Sequence, residues 1–178
     1  MTRSIELNAC DLHWLGDERG WPDDQCAHGS VELRVGDVVL VDAGDLTLSG
    51  AALHLLRTID ADHSPEHSAA PANLLFPCCA FNAWPDDVHG LLLVGCPNGV
   101  DVVVEHLEGG SVRLTRDETT LHVASIDWRM AVVGFARQIE AFYAASTPKI
   151  PPGDELDRKG WELFWSEWRT LVARHSRA

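Results

Sequence analysis

A chain of 178 residues, 46% of them hydrophobic, can bury about 70% of its unfolded surface around one core, so its folding requires neither a structural metal nor a disulfide framework. The formal charge of -13 and the lack of any basic stripe exclude a surface built to hold nucleic acid. No run approaches the roughly 18 consecutive apolar residues of a membrane span, so no membrane partner is expected.

The acidity is uneven. Residues 1–110 hold 18 Asp and Glu against 4 Lys and Arg, a difference of −14, whereas residues 111–178 hold 9 against 10, a difference of +1. Such a field attracts cationic partners and raises their association rate. The opening MTRSIELNACDLHW lacks the apolar run of a secretion signal, and five cysteines form an odd set without a disulfide pattern. A cytosolic protein of one domain, 1–178, is therefore expected.

In chain order, SIELNACDLHWL reads as a first strand with Ile5, Leu7 and Ala9 on one side. GDERGWPDDQCAHGS, rich in Gly, Asp and Pro, reads as a loop. SVELRVGDVVLVD reads as one or two strands bent at Gly36 and Asp37. Thr47 or Ser49 can then cap a helix that carries Leu53, Leu55 and Leu56 up to Ile59. DADHSPEHSAAPA has the composition of an exposed, mobile loop, in which His63 and His67 are read as solvated.

NLLFPCCAF is apolar but interrupted by Pro77, so it is a strand with an irregularity at the proline or an irregular buried segment. LLLVGCPNGVDVVVEHL reads as two strands joined at Pro97-Asn98-Gly99, and SVRLT and TTLHVAS follow after further turns. The segment from about 90 to 125 is thus expected to be a meander of about four short antiparallel strands. After Ser125 or Asp127 as cap, Trp128, Val132, Phe135, Ile139 and Phe142 recur at helical spacing. The prolines of STPKIPPGD end that helix, and Trp161, Phe164, Trp165, Trp168, Leu171 and Val172 mark a last one. The expected class is α+β, an antiparallel sheet with two or three helices packed on one face.

The sequence offers few groups arranged for chemistry. Cys26, His28, Cys79 and Cys96 are the least implausible zinc quartet, but their spacing fits no usual structural pattern, and no metal ligand is assigned. There is no C-x-x-C pair. Cys10 and His13, three apart on a strand, face opposite sides. Cys96, with His89 and His106 across a hairpin, keeps a cysteine-dependent hydrolase as one alternative. The Trp161, Trp165 and Trp168 face keeps an accessory or oligomerising protein as another. Phosphate-loop and nucleophile-elbow motifs are missing, so no cofactor and no catalytic residue are expected.

The loops GDERGWPDDQCAHG and FNAWPDDVHG each set two aspartates beside Trp and Pro. Trp is enriched among interface hot spots, and surrounding carboxylates speed capture of a basic partner. The partner-binding candidates are Asp17, Glu18, Trp21, Asp23, Asp24, Trp84, Asp86 and Asp87. The competing expectation is that Trp21 and Trp84 fold back into the core while the acids only solvate the loops. In size, acidity and lack of catalytic motifs, the whole chain resembles the bacterial immunity proteins of polymorphic toxin and contact-dependent growth inhibition systems. That resemblance implies a small cytosolic protein that binds and neutralises a cognate basic toxin domain, often a nuclease.

Overall fold

The computed structural model describes residues 4–16, 21–78 and 82–176. Three strands come first: β1 (Ile5–His13), β2 (His28–Val35) and β3 (Val38–Thr47) form an antiparallel sheet in sequence order. The β2–β3 turn lies at Gly36, whose φ of 58° suits glycine. On β2 the strict alternation puts Val31, Leu33 and Val35 in the core.

Helix α1 (Leu48–Arg57) follows β3 directly and is buried from Leu48 through Leu56. It is buried on all sides because it runs through the centre of the molecule, touching β2, α2 (Ser125–Ala145) and α3 (Glu155–His175). Thr47 occupies its N-cap position without making a side-chain bond, and Ser49 lies inside the first turn. The helix stops at Arg57, two residues before Ile59.

The segment after α1 corrects an expectation. His63 is 3% exposed and Ala70 fully buried, because the His63 amide and carbonyl each bond to Val104 at 2.8 Å. That bridge buries His63, while His67 stays exposed.

The expected hairpin across Pro97-Asn98-Gly99 also differs. Strand β4 (Phe76–Pro77) pairs with β7 (Gly99–Val100), and β5 (Asn82–Asp86) pairs with β6 (Gly90–Val94). Gly99 lies against the Phe76 carbonyl so closely that a Cβ would overlap it, and its φ is 139°. The meander proper therefore has three strands, β8 (Val103–Leu107), β9 (Ser111–Arg116) and β10 (Thr119–Ala124). Among the described residues the architecture is α+β: open antiparallel sheets and three helices, none long and apolar enough to cross a membrane.

α2 begins after Ala124, which caps without a side-chain bond, and Asp127 sits in its first turn where the helix dipole favours it. Asp154 caps α3, accepting from the amides of Leu156 at 2.8 Å and Asp157 at 3.3 Å. The two fully buried tryptophans satisfy their indole donors: Trp128 bonds Thr58 Oγ1 at 3.2 Å and Trp168 bonds Glu140 Oε1 at 2.9 Å. Arg57 ties three elements together, gripping Glu167 of α3 with two bonds, 2.6 and 2.9 Å, and the Leu91 carbonyl of β6 at 3.0 Å.

Candidate partner-binding surface

The 21–27 loop is held from beneath. Asp24 turns inward and accepts the Leu15 amide at 2.7 Å and the Cys26 amide at 3.3 Å, with His28 Nε2 at 3.4 Å. A chain of hydroxyls then fixes the loop to the core. The Ala27 amide donates to Ser49 Oγ (2.8 Å), Ser49 lies 2.8 Å from Tyr143 Oη, and Tyr143 donates to the Gln25 carbonyl at 2.5 Å. Burial pushes the Tyr143 hydroxyl far above its ordinary range, so it remains a donor. Tyr143→Phe leaves the Gln25 carbonyl without that donor and is expected to cost about 1–3 kcal/mol. Chemical denaturation measures the loss, and faster amide exchange at 25–27 would locate it.

The segment between α2 and α3 clamps the loop from outside. The Ile150 amide bonds the Pro22 carbonyl and Gln25 Nε2 bonds the Ile150 carbonyl, both at 2.8 Å. Lys149 Nζ lies 3.4 Å from the centroid of the Trp14 ring and donates to the Trp21 carbonyl at 3.2 Å. Burial lowers the Lys149 pKa, partly countered by Asp24 and Asp23. Held this way, Trp21 remains 57% exposed, flanked by Leu15 at 46% and Ile150 at 58%. The Trp21 amide bonds the Leu15 carbonyl at 2.9 Å. Gly16, at φ 99°, lets the Trp21 ring lie against the backbone, where a Cβ would come within 2.6 Å of it.

The second loop lies on the β5–β6 hairpin, which packs along α3 with the Ala83 backbone against Gly160. Trp84 is 38% exposed, and its indole donates to Asp157 Oδ1 at 3.1 Å. Asp86 closes the turn, accepting the amides of Val88 (3.0 Å) and His89 (2.7 Å) and lying 2.8 Å from His89 Nδ1. These bonds to His89, the backbone one first, lower the Asp86 pKa. Asp87 is exposed at the hairpin tip beside Val88, which is 83% exposed. The loops converge on a cavity of about 300 Å³, lined by Asp23 and Gln25 from the first, Asn82 and Ala83 from β5, and Asp157 and Trp161 from α3.

No family model, characterised protein or solved structure matches this chain.

Of the eight candidates, Trp21, Asp23, Trp84 and Asp87 face solvent. Asp24 and Asp86 make internal bonds that shape the two loops. Asp17 and Glu18 lie outside the described residues. Asp157 joins the site unforeseen. The acidic start of α3 was its only signal, and that pattern ordinarily marks a helix terminus.

The cysteine readings fare differently. Cys79 lies outside the described residues, and among those described no three His, Cys, Asp or Glu side chains converge as a metal site. Burial, then Asp24, raises the Cys26 thiol pKa well above its usual value, which opposes thiolate formation. His89 precedes β6 and Cys96 follows it, so the whole strand, about 13 Å from its first to its last residue, lies between them. His106 sits between Asp62 at 2.9 Å and the Ile59 carbonyl at 3.2 Å. The structure does not assemble these three.

It does bring together Ser68, His63 and Asp101, which the sequence reading passed over. His63 Nε2 lies 2.8 Å from Asp101 Oδ1, and Ser68 Oγ lies 3.4 Å from His63 Nδ1. The Ser68 hydroxyl also accepts the Ala70 amide, and Asp101 accepts the Leu75 amide, so the chain staples the 63–75 segment to the meander. Its neighbouring cavity is walled by Asp60 and Asp62, whose negative charge opposes an oxyanion. Trp168 is fully buried, so α3 offers no face of three tryptophans.

Proposed function

We propose that this protein is an immunity protein that works by binding, without catalysis, capping a basic toxin domain in the cytosol. The observation that supports this reading is the exposed apolar cluster of Trp21, Leu15 and Ile150 beside Asp23, in a loop held by hydrogen bonds to α2 and to the segment after it rather than folded into the core. Large apolar side chains kept rigid at the surface suit an interface centre. A binding surface fixed before the encounter loses less entropy on association. Asp23 beside that centre and Asp157 across the shared cavity supply negative charge, which steers a cationic partner and acts more strongly at low salt.

The test is protection in cells. This reading expects a toxin domain to be encoded immediately upstream, and that domain is expressed with the parent protein or with Trp21→Ala. Parent protein is expected to restore growth, and Trp21→Ala to lose most of the protection while reaching the same folded level. Full protection by Trp21→Ala together with Trp84→Ala would contradict the reading.

A further inference from the structure

Trp161 separates the cavity between the two acidic loops from a second one of about 340 Å³, which lies between the end of α2 and α3. A volume of this size is in the range of small-molecule sites. We propose that the second cavity binds a planar aromatic carboxylate, its ring against the indoles of Trp161 and Trp165 and its carboxylate paired with the Arg169 guanidinium. The site adjoins the proposed toxin-binding surface, sharing Trp161 with its cavity and Lys149 with the clamp on Trp21, but its ligand does not depend on that reading.

The walls argue for an aromatic ligand. Trp161 and Trp165 have ring centroids 6.5 Å apart at an interplanar angle of 76°. They offer one face for stacking and one for an edge contact, the two arrangements aromatic groups favour. The wall is stiff because Trp165 meets Tyr143 edge to face at 4.8 Å, and Tyr143 is fixed by the hydroxyl chain under the first loop. Pro148 closes the opposite side with little freedom of its own.

The rim argues for an anion. Arg169 lines the cavity and makes no ion pair or hydrogen bond among the described residues. Its planar fork suits a carboxylate in a two-bond pairing. Lys149 lies on the same rim, already turned toward Trp14 and the Trp21 carbonyl, and adds positive field. Glu162 is the single opposing charge on the lining. The cavity thus carries a local excess of positive charge on a chain whose net charge is -13, a sign that general solubility does not account for.

Indole-3-acetate and its neutral amide, indole-3-acetamide, separate ring from charge. Titrated calorimetrically into the full chain, the acid is expected to bind saturably and about tenfold more tightly than the amide, the scale of one charge-assisted pairing. Arg169→Gln, an exposed change between good helix formers, should bring the acid down to the amide's affinity. Glu162→Gln should tighten the acid severalfold by removing repulsion. Indole N–H resonances of Trp161 and Trp165 should shift on binding, with the other tryptophans little changed. Absence of saturable binding, equal affinity for acid and amide, an unaltered Arg169→Gln, or shifts confined to other tryptophans would each overturn the proposal.

Discussion

Gly160→Ala is expected to destabilise the protein by several kcal/mol, although the same exchange inside a helix ordinarily stabilises by roughly 0.5–1 kcal/mol. The reversal comes from packing. Gly160 is buried where α3 crosses β5, and a Cβ there would overlap the Ala83 carbonyl, with the Trp84 amide nitrogen 3.1 Å away. Both neighbours are backbone, so no side chain can swing aside, and either the hairpin lifts or the helix shifts. Overpacking typically costs about 1–3 kcal/mol and exceeds that where rigid elements collide. Gly134, exposed on α2 with nothing within 4 Å of an added Cβ, is the matched control. Gly134→Ala should raise the urea midpoint and Gly160→Ala should lower it. A Gly160→Ala midpoint at or above the parent's would show that the hairpin does not rest on α3.

The second large effect is a loss of stability in mild acid traced to one side chain. His54 lies inside α1, fully buried, with neither ring nitrogen in hydrogen-bonding geometry. Burial first, and then the Arg57 charge, lower its pKa from 6.5 to about 3, with the backbone of Leu75 and Leu74 offsetting a little of the shift. The folded state therefore resists a proton that the unfolded chain accepts freely. Above pH 6.5 the residue has no linkage effect. As pH falls below that value each unit removes about 1.4 kcal/mol, up to roughly 4 kcal/mol near pH 3.

The carboxylates with lowered pKa values, Asp62, Asp86, Asp101 and Glu105, act in the same direction, but only below their unfolded values near 4. Between about pH 6.5 and 4.5 the slope assigned to His54 stands apart from theirs. Unfolding free energies at pH 7, 6 and 5 should fall in the parent and be nearly level in His54→Leu, which keeps a buried side chain of similar size. An equal slope in both would mean that another group carries the acid sensitivity.

The sequence was most informative where period and punctuation agreed. The alternation of Val31, Leu33 and Val35 and the 4-3-4-3 spacing from Trp128 to Phe142 each specify a buried face. Gly36 and Asp37, read as a bend in one strand or between two, stand at the turn between β2 and β3. Prediction failed where a local signal was outcompeted by a distant partner. Pro97-Asn98-Gly99 has turn chemistry, yet Phe76 and Pro77, more than twenty residues earlier, claim Gly99 and Val100. The polar composition of 60–72 says loop and says it correctly, but cannot show that His63 will bridge to Val104 and bury itself.

The candidate site was legible as two similar tetrapeptides, WPDD at 21–24 and again at 84–87. Their opposite division of labour was not: the second aspartate turns inward in the first loop, and the first aspartate in the second. Which carboxylate stays free depends on where backbone amides fall, a property of the folded loop. The meeting of both loops over Asp157 likewise follows from β5 lying along α3.

The most direct test of the proposed interface is the dissociation constant for the toxin domain that the proposal expects to be encoded immediately upstream, measured from low to high salt for the parent, Trp21→Ala and Asp23→Asn. Trp21→Ala is expected to weaken binding by about thirtyfold or more at every salt concentration, as loss of a hot spot of 2 kcal/mol or more does. Asp23→Asn should weaken it severalfold at low salt and progressively less as salt rises. A complex whose affinity is unchanged by both substitutions, or that is as tight in high salt as in low, would contradict an acidic, tryptophan-centred interface.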